Sequence, residues 1–122
     1  LDELLLACVH QRLAEQPAIA WKPGAAACVV MASEGYPETF QKGKVISGID
    51  QAEVGGAMVF HGGTQSKPQG LITDGGRVLG VTAVGDSLDD ALDNAYAAVE
   101  QIQFDGAYYR QDIGYHARRT KA

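Results

Sequence analysis

The sequence is poor in what several functional classes require. It has two cysteines, Cys8 and Cys28, which make neither a disulfide framework nor a metal-ligand spacing. Each lies in an apolar run, so both are expected to be small buried hydrophobes in a reducing, cytoplasmic setting. Positive charge is also scarce: 10 Lys and Arg stand against 15 Asp and Glu, a net charge of -5. The one basic cluster is Arg118-Arg119-Thr120-Lys121 at the end of the chain. Phosphate neutralisation supplies most of the affinity for nucleic acid, so no nucleic-acid partner is expected. Long apolar runs are missing as well. Leu4-Leu5-Leu6-Ala7-Cys8-Val9 falls far short of the roughly 20 residues a membrane span needs, and Asp2 and Glu3 stand where a signal peptide carries positive charge. No membrane partner is expected either.

Catalytic motifs are equally thin. Fifteen glycines invite a phosphate cradle, and Gly43-Lys44-Val45-Ile46-Ser47-Gly48 has the first half of a P-loop spacing. Ile49-Asp50 follows where Lys and Ser or Thr must reach phosphate and magnesium, so the motif fails. No G-x-G-x-x-G opens a helix, and no G-x-S-x-G elbow surrounds Ser33 or Ser47. His10, His61 and His116 are scattered; His61, before Gly62-Gly63, is read as a structural histidine rather than a substrate contact. Lys67 lacks the methionine-flanked setting of a biotinyl or lipoyl carrier. The residues alone describe a domain without a self-contained active site.

What is present is a strong helix and several strands. Leu88, Ala91, Leu92, Ala95, Val99 and Ile102 recur with the period of one helical face, predicting a helix from Ser87 to about Ile102. Ser87 and Asp90 suit a capping box, and Asp86, Asp89, Asp90 and Asp93 crowd an N-terminus whose dipole favours them; they are read as that rather than as a metal site. Leu1 to Glu15 suits an amphipathic helix ending before Pro17. Ala25 to Ala32 reads as a buried strand, Lys44 to Ile49 and Ala57 to His61 as short strands, and Lys67-Pro68 as part of a polar loop. Gly70 to Thr73 and Arg77 to Val84 are expected to form a hairpin about Asp74-Gly75. Gly35-Tyr36-Pro37 belongs to a shaped loop. The fold class is therefore α+β: a small antiparallel β-barrel or sandwich packed by one long helix. The chain opens at Leu1 inside a helix, which suggests a piece of something longer.

Five blocks in register carry a resemblance: Gly35-Tyr36-Pro37; Lys42 to Gly48; Val59-Phe60-His61-Gly62-Gly63-Thr64; Gly75 to Ala83; and Tyr108-Tyr109-Arg110-Gln111-Asp112-Ile113-Gly114-Tyr115. In this order they resemble the C-terminal domain of the glycinamide ribonucleotide synthetases, ATP-grasp ligases of purine biosynthesis. The resemblance implies that residues 1–21 are the tail of a preceding ATP-grasp domain and 22–122 the C-terminal domain. It implies a whole enzyme that activates glycine with ATP and magnesium (or manganese) for attack by 5-phosphoribosylamine, with upstream domains of the same protein as partners. The family's metal-binding neighbourhood is absent from this chain, so the chain alone is expected to be inactive, with no catalytic or metal residue of its own. Gly35, Tyr36, Pro37 and Lys42 are the expected substrate-facing residues, a glycine admitting ligand to the backbone beside a rigid wall. Lys44 is weighed with Lys42 as an anion attractor or an edge-strand charge, and Arg77 and Arg110 equally as substrate-facing residues or as structural partners of the helix aspartates. Two other readings stand beside this one: a free-standing small-ligand binding or interaction module, and a carrier domain modified at Lys67.

Overall fold

Burial along Ala25–Ser33 (β1) alternates with the two-residue period of a strand: Ala27, Val29, Met31 and Ser33 point inward while Ala26, Cys28 and Val30 point out. The computed structural model describes residues 1–119; Thr120 and Lys121 of the basic cluster lie outside the described residues. Across β1 runs Arg77–Gly85 (β5), antiparallel from Ala25 opposite Gly85 to Ala32 opposite Arg77, with an irregularity after Met31. Met58–His61 (β2) pairs with the far side of β5, and Ala107–Tyr108 (β6) with the far side of β1. The sheet order is β2-β5-β1-β6. A second, two-stranded ribbon is made by Thr64–Lys67 (β3) and Gly70–Thr73 (β4).

The predicted long helix is Leu88–Val99; we designate it α3, after Asp2–Val9 (α1) and Ile49–Val54 (α2). Ser87 accepts from the Asp90 amide while the Asp90 carboxylate accepts from the Ser87 amide, so the capping box is complete. Ala91, Leu92, Ala95 and Val99 are buried against Val29, Met31, Leu79 and Val81 of the sheet. The small alanines let the helix lie close, and Leu92 fills the space between layers. Two of the aspartates crowded at its start share an ordinary partner: the Arg118 guanidinium, on Tyr115–Arg119 (α4), lies 3.1 Å from Asp89 and 2.6 Å from Asp93. None of the helices among the described residues is long and apolar enough to cross a membrane.

Several expectations are corrected. The α+β class stands, but no barrel closes: the sheet is open, with β2 and β6 as its edges, and the ribbon is separate. Arg77–Gly85 and Gly70–Thr73 are not a hairpin; Asp74-Gly75-Gly76 links the ribbon to the main sheet, with the Asp74 amide donating to Gly63 O at 2.7 Å. Glycine-rich turn chemistry serves a crossover between sheets as well as a hairpin. The true hairpin turns at Pro68-Gln69, so Lys67 ends a strand rather than sitting in a loop. Lys44 to Ile49 is not a strand: only Val45 and Ser47 make isolated bridges, and Gly48, at φ +87°, breaks the extended run and starts α2. The N-terminal helix stops at Val9, with a separate 3-10 turn at Leu13–Glu15. Both cysteines are exposed: Cys28 points away from α3, and Cys8 lies on α1, of which Ala7 alone is buried.

The Leu92→Ala variant is expected to lose about 2–5 kcal/mol of stability, the usual loss for a core leucine that leaves a cavity. The Ser87→Ala variant, losing the cap, is expected to lose about 1 kcal/mol. Urea unfolding followed by helical circular dichroism checks both, and a Leu92→Ala loss below that of Ser87→Ala would contradict the packing described.

Candidate functional site

At the end of β1 the chain leaves the sheet through two successive turns. The Tyr36 amide donates to Ser33 O and the Glu38 amide to Gly35 O at 2.8 Å. Gly35 adopts φ +89°, and a Cβ there would strike the Thr39 carbonyl oxygen, so the turn demands glycine. The Tyr36-Pro37 peptide is cis. The Tyr36 ring lies over Gly76, where a Cβ would collide with it, and meets Phe40 edge-on with centroids 5.9 Å apart. Below the loop, the Ser33 amide donates to Gly76 O and the Ser33 hydroxyl to Gly75 O. The loop is thus bolted to the link between the two sheets, as a shaped element rather than a loose one.

This loop walls a cleft of about 370 Å³ lined by Glu34, Gly35, Phe40, Gln41, Lys44 and Asp105, among others. Its far wall is the Phe104-Asp105-Gly106 turn, held to the loop where the Glu34 amide donates to Gly106 O at 2.7 Å. Lys44 Nζ donates to Asp105 Oδ2 at 2.7 Å across the cleft floor, joining residues 61 positions apart. The Lys44 hydrogen bond and its positive charge lower the Asp105 pKa below the ordinary 3.8. Both charge signs and an aromatic face are present, an arrangement able to seat a small polar ligand.

Of the expected substrate-facing residues, Gly35 lines the cleft; Tyr36, Pro37 and Lys42 are on its loop and flank but do not line it. Lys42 Nζ lies 3.3 Å from Asp74 Oδ1, with both side chains about half exposed. Lys44, weighed beside Lys42, is the lysine in the cleft. Glu34, Phe40, Gln41 and Asp105 were not foreseen as lining residues; Asp105 had a local signal, a turn ahead of Gly106, but nothing in the sequence ties it to Lys44. Of the two alternatives for Arg77 and Arg110, the pairing with the helix aspartates is not formed. Arg110 forks onto Asp112 at 2.6 and 2.8 Å, which raises its pKa, and none of the ion pairs among the described residues includes Arg77. Arg118 is the arginine that meets the helix aspartates. His61 Nδ1 lies 3.0 Å from Thr64 Oγ1, and the residue also lines a second cleft with Ser47, Asp50 and Glu53. Among the described residues no three His, Cys, Asp or Glu side chains gather to hold a metal ion.

The Gly76→Ala variant forces its methyl group into the Tyr36 ring and is expected to cost about 1–3 kcal/mol while displacing the loop, read as a change in Tyr36 NMR shifts. Titration of the Asp105 carboxyl by NMR is expected to give a midpoint below 3.8 that returns toward 3.8 in Lys44→Met. The sign is that of a depressed acid: the pair's contribution is present above the ordinary value and is lost as pH falls through the lower folded value. Equal midpoints in the two proteins would remove the pair from the description.

The phosphoribosylglycinamide synthetase C domain family matches residues 26–116. A phosphoribosylamine-glycine ligase of Nostoc sp. is 57% identical over 116 residues, 94% of this chain and 27% of that protein. One of Synechocystis sp. is 50% identical over 96% of this chain and 28% of that protein. A crystal structure of a phosphoribosylamine-glycine ligase from Thermotoga maritima superposes with a TM-score of 0.72 at 32% identity, covering 90% of this chain and 27% of that one. The chain therefore spans little more than a quarter of each of these ligases, and within that span it belongs to the phosphoribosylglycinamide synthetase C domain family.

Proposed function

We propose that this chain is the C-terminal, substrate-side domain of a cytoplasmic carbon-nitrogen ligase that joins glycine to 5-phosphoribosylamine, with ATP converted to ADP and phosphate, in purine biosynthesis. The observation that carries the reading is 57% identity over 94% of this chain to a protein named for that ligation. Residues 1–21 then belong to the preceding ATP-grasp domain and 22–122 to this one. The described residues offer neither a metal donor set nor a glycine-rich phosphate cradle. In this reading the residues that hold ATP and magnesium or manganese belong to the upstream domains.

What this chain contributes is binding and shape. Gly35, Tyr36 and Pro37 form the wall offered to substrate, kept rigid by the Gly76 contact and the Ser33 hydrogen bonds. Lys42 supplies positive charge at its flank. Its exposed pair with Asp74 is worth only about 0–1 kcal/mol, so a substrate phosphate or carboxylate can take the ammonium from Asp74. A charge-assisted hydrogen bond gained that way is worth roughly 1.5–3 kcal/mol.

The test is ADP release with glycine, 5-phosphoribosylamine, ATP and magnesium. The 122-residue chain is expected to be silent, and a polypeptide extended through its upstream coding region active. In the extended protein Lys42→Met is expected to lower kcat/KM for phosphoribosylamine by about 10- to 100-fold, the equivalent of that hydrogen bond. Turnover by neither protein removes the ligase reading; an unchanged kcat/KM removes Lys42 from the substrate.

A further inference from the structure

A ring of contacts runs around the cleft floor, joining segments far apart in sequence. The Ser33 amide donates to Gly76 O at 2.8 Å, which ties the end of β1 to the link between the sheets. Just ahead of that link, Thr73 is stitched to the segment that follows the loop. The Gly43 amide donates to Thr73 O at 2.7 Å, the Thr73 amide to Lys44 O at 2.8 Å and the Lys44 amide to Thr73 Oγ1 at 3.1 Å. Lys44 Nζ then reaches Asp105, and the next carbonyl, that of Gly106, accepts from the Glu34 amide, back at the end of β1. Of these joints, Lys44 to Asp105 is the one made by side chains alone. Both of its ends stand beside buried residues: Thr73 is 1% exposed, and Phe104, next to Asp105, is 8% exposed.

The loop of residues 35–41 stands on this ring. Its two feet are Glu34, bonded to Gly106, and Lys42, next to Gly43. The spacing between the Gly35-Tyr36-Pro37 wall and the Lys42 ammonium therefore depends on how the ring closes. Without the Lys44 joint, the turn at Asp105 is held to β1 by the Glu34 bond and by the two-residue pairing of β6. Spacing matters to a grip on a small substrate, since misplacing a positioning group by about 1 Å can cost up to about 100-fold. The pair is partly exposed, Lys44 by 30% and Asp105 by 80%. A tie of that kind adds little to global stability, so its effect falls on local geometry.

We infer that Lys44 and Asp105 are positioning residues, whose ion pair closes the ring under the loop and fixes the separation between the Gly35-Tyr36-Pro37 wall and Lys42. The inference rests on the proposed reading of wall and Lys42 as the groups that face substrate. Lys44 acts through the turn it holds, and Lys42 meets the anion; the two lysines thus have separate tasks.

The test has two arms. In the upstream-extended protein, kcat and KM for phosphoribosylamine are measured by ADP release for Lys44→Met, Asp105→Asn and the double variant. Each single variant is expected to raise KM by about three- to fivefold, the most an exposed pair usually holds, with kcat within about twofold. The double variant is expected to be no worse than either single one, because one joint is lost in all three. Additive losses would overturn the inference, each residue then acting by itself. A loss in Lys44→Met alone would do so too, the lysine then meeting substrate directly, as would an unchanged KM in both single variants. In the second arm, amide NMR shifts of the 122-residue chain are compared with those of its Asp105→Asn variant. Gly35, Tyr36 and Lys42 are expected to move while the amides of α3 stay in place. Unmoved loop amides, or shifts spread evenly through α3, would overturn the inference. The arms separate it from the parent reading. An active extended protein with unmoved loop amides loses the clasp and keeps the ligase; an inactive one with moved loop amides loses the ligase and keeps the clasp.

Discussion

The antiparallel pairing of β1 with β5 is the constraint the rest of the domain answers to. It sets the inward row of Val29, Met31, Leu79 and Val81 on which α3 lies, and it gives β2 and β6 their two edges. It also places the ends of two different segments together, since Ser33 leaves β1 beside Gly75 and Gly76 as they enter β5. The cleft exists because of that meeting. Its loop is braced from beneath by the link between sheets, and its far wall arrives with β6, which pairs with the last residues of β1. Shape at the cleft is thus a product of long-range pairing, while its chemistry is carried by the side chains that pairing brings together, Lys44 and Asp105 first among them.

What could be read from the sequence follows from how local the causes are. The α3 stripe and the Ser87-Asp90 cap are decided within a few turns of one helix, and both are present as expected. β1 was legible as a strand from its run of Ala and Val, yet its one-sided burial was not: an apolar residue pointing outward looks the same in sequence as one pointing in, which is why Cys28 was expected inside. The glycine pair after Asp74 has a local preference for turning but no preference for which strands it joins. Gly48 interrupts a β-like run because Gln101 passes against its backbone, an event more than fifty positions away.

The cleft shows the same division. Gly35-Tyr36-Pro37 announces a shaped loop by composition alone, and the loop is shaped. The partners that make it a cleft, Glu34 with Gly106 and Lys44 with Asp105, are joined across about seventy and sixty positions by a fold that the residues near them do not encode. Lys42 and Lys44 are alternatives in sequence, two residues apart on similar ground. In the fold they meet different acids: Asp74 at the ribbon's end for one, Asp105 across the cleft for the other.

The distance along the chain between paired strands has a consequence in time. Ala25 pairs with Gly85, sixty positions later, and a ribosome adding about 5–20 residues per second needs roughly 3–12 s to deliver the partner. Throughout that interval the Cys28-Val29-Val30-Met31 run is a strand without a sheet, apolar on both sides, and α3, which is to cover it, has not been made. The newborn segment is suited to capture by a chaperone that holds extended apolar peptides, until β5 emerges and the sheet can close around it.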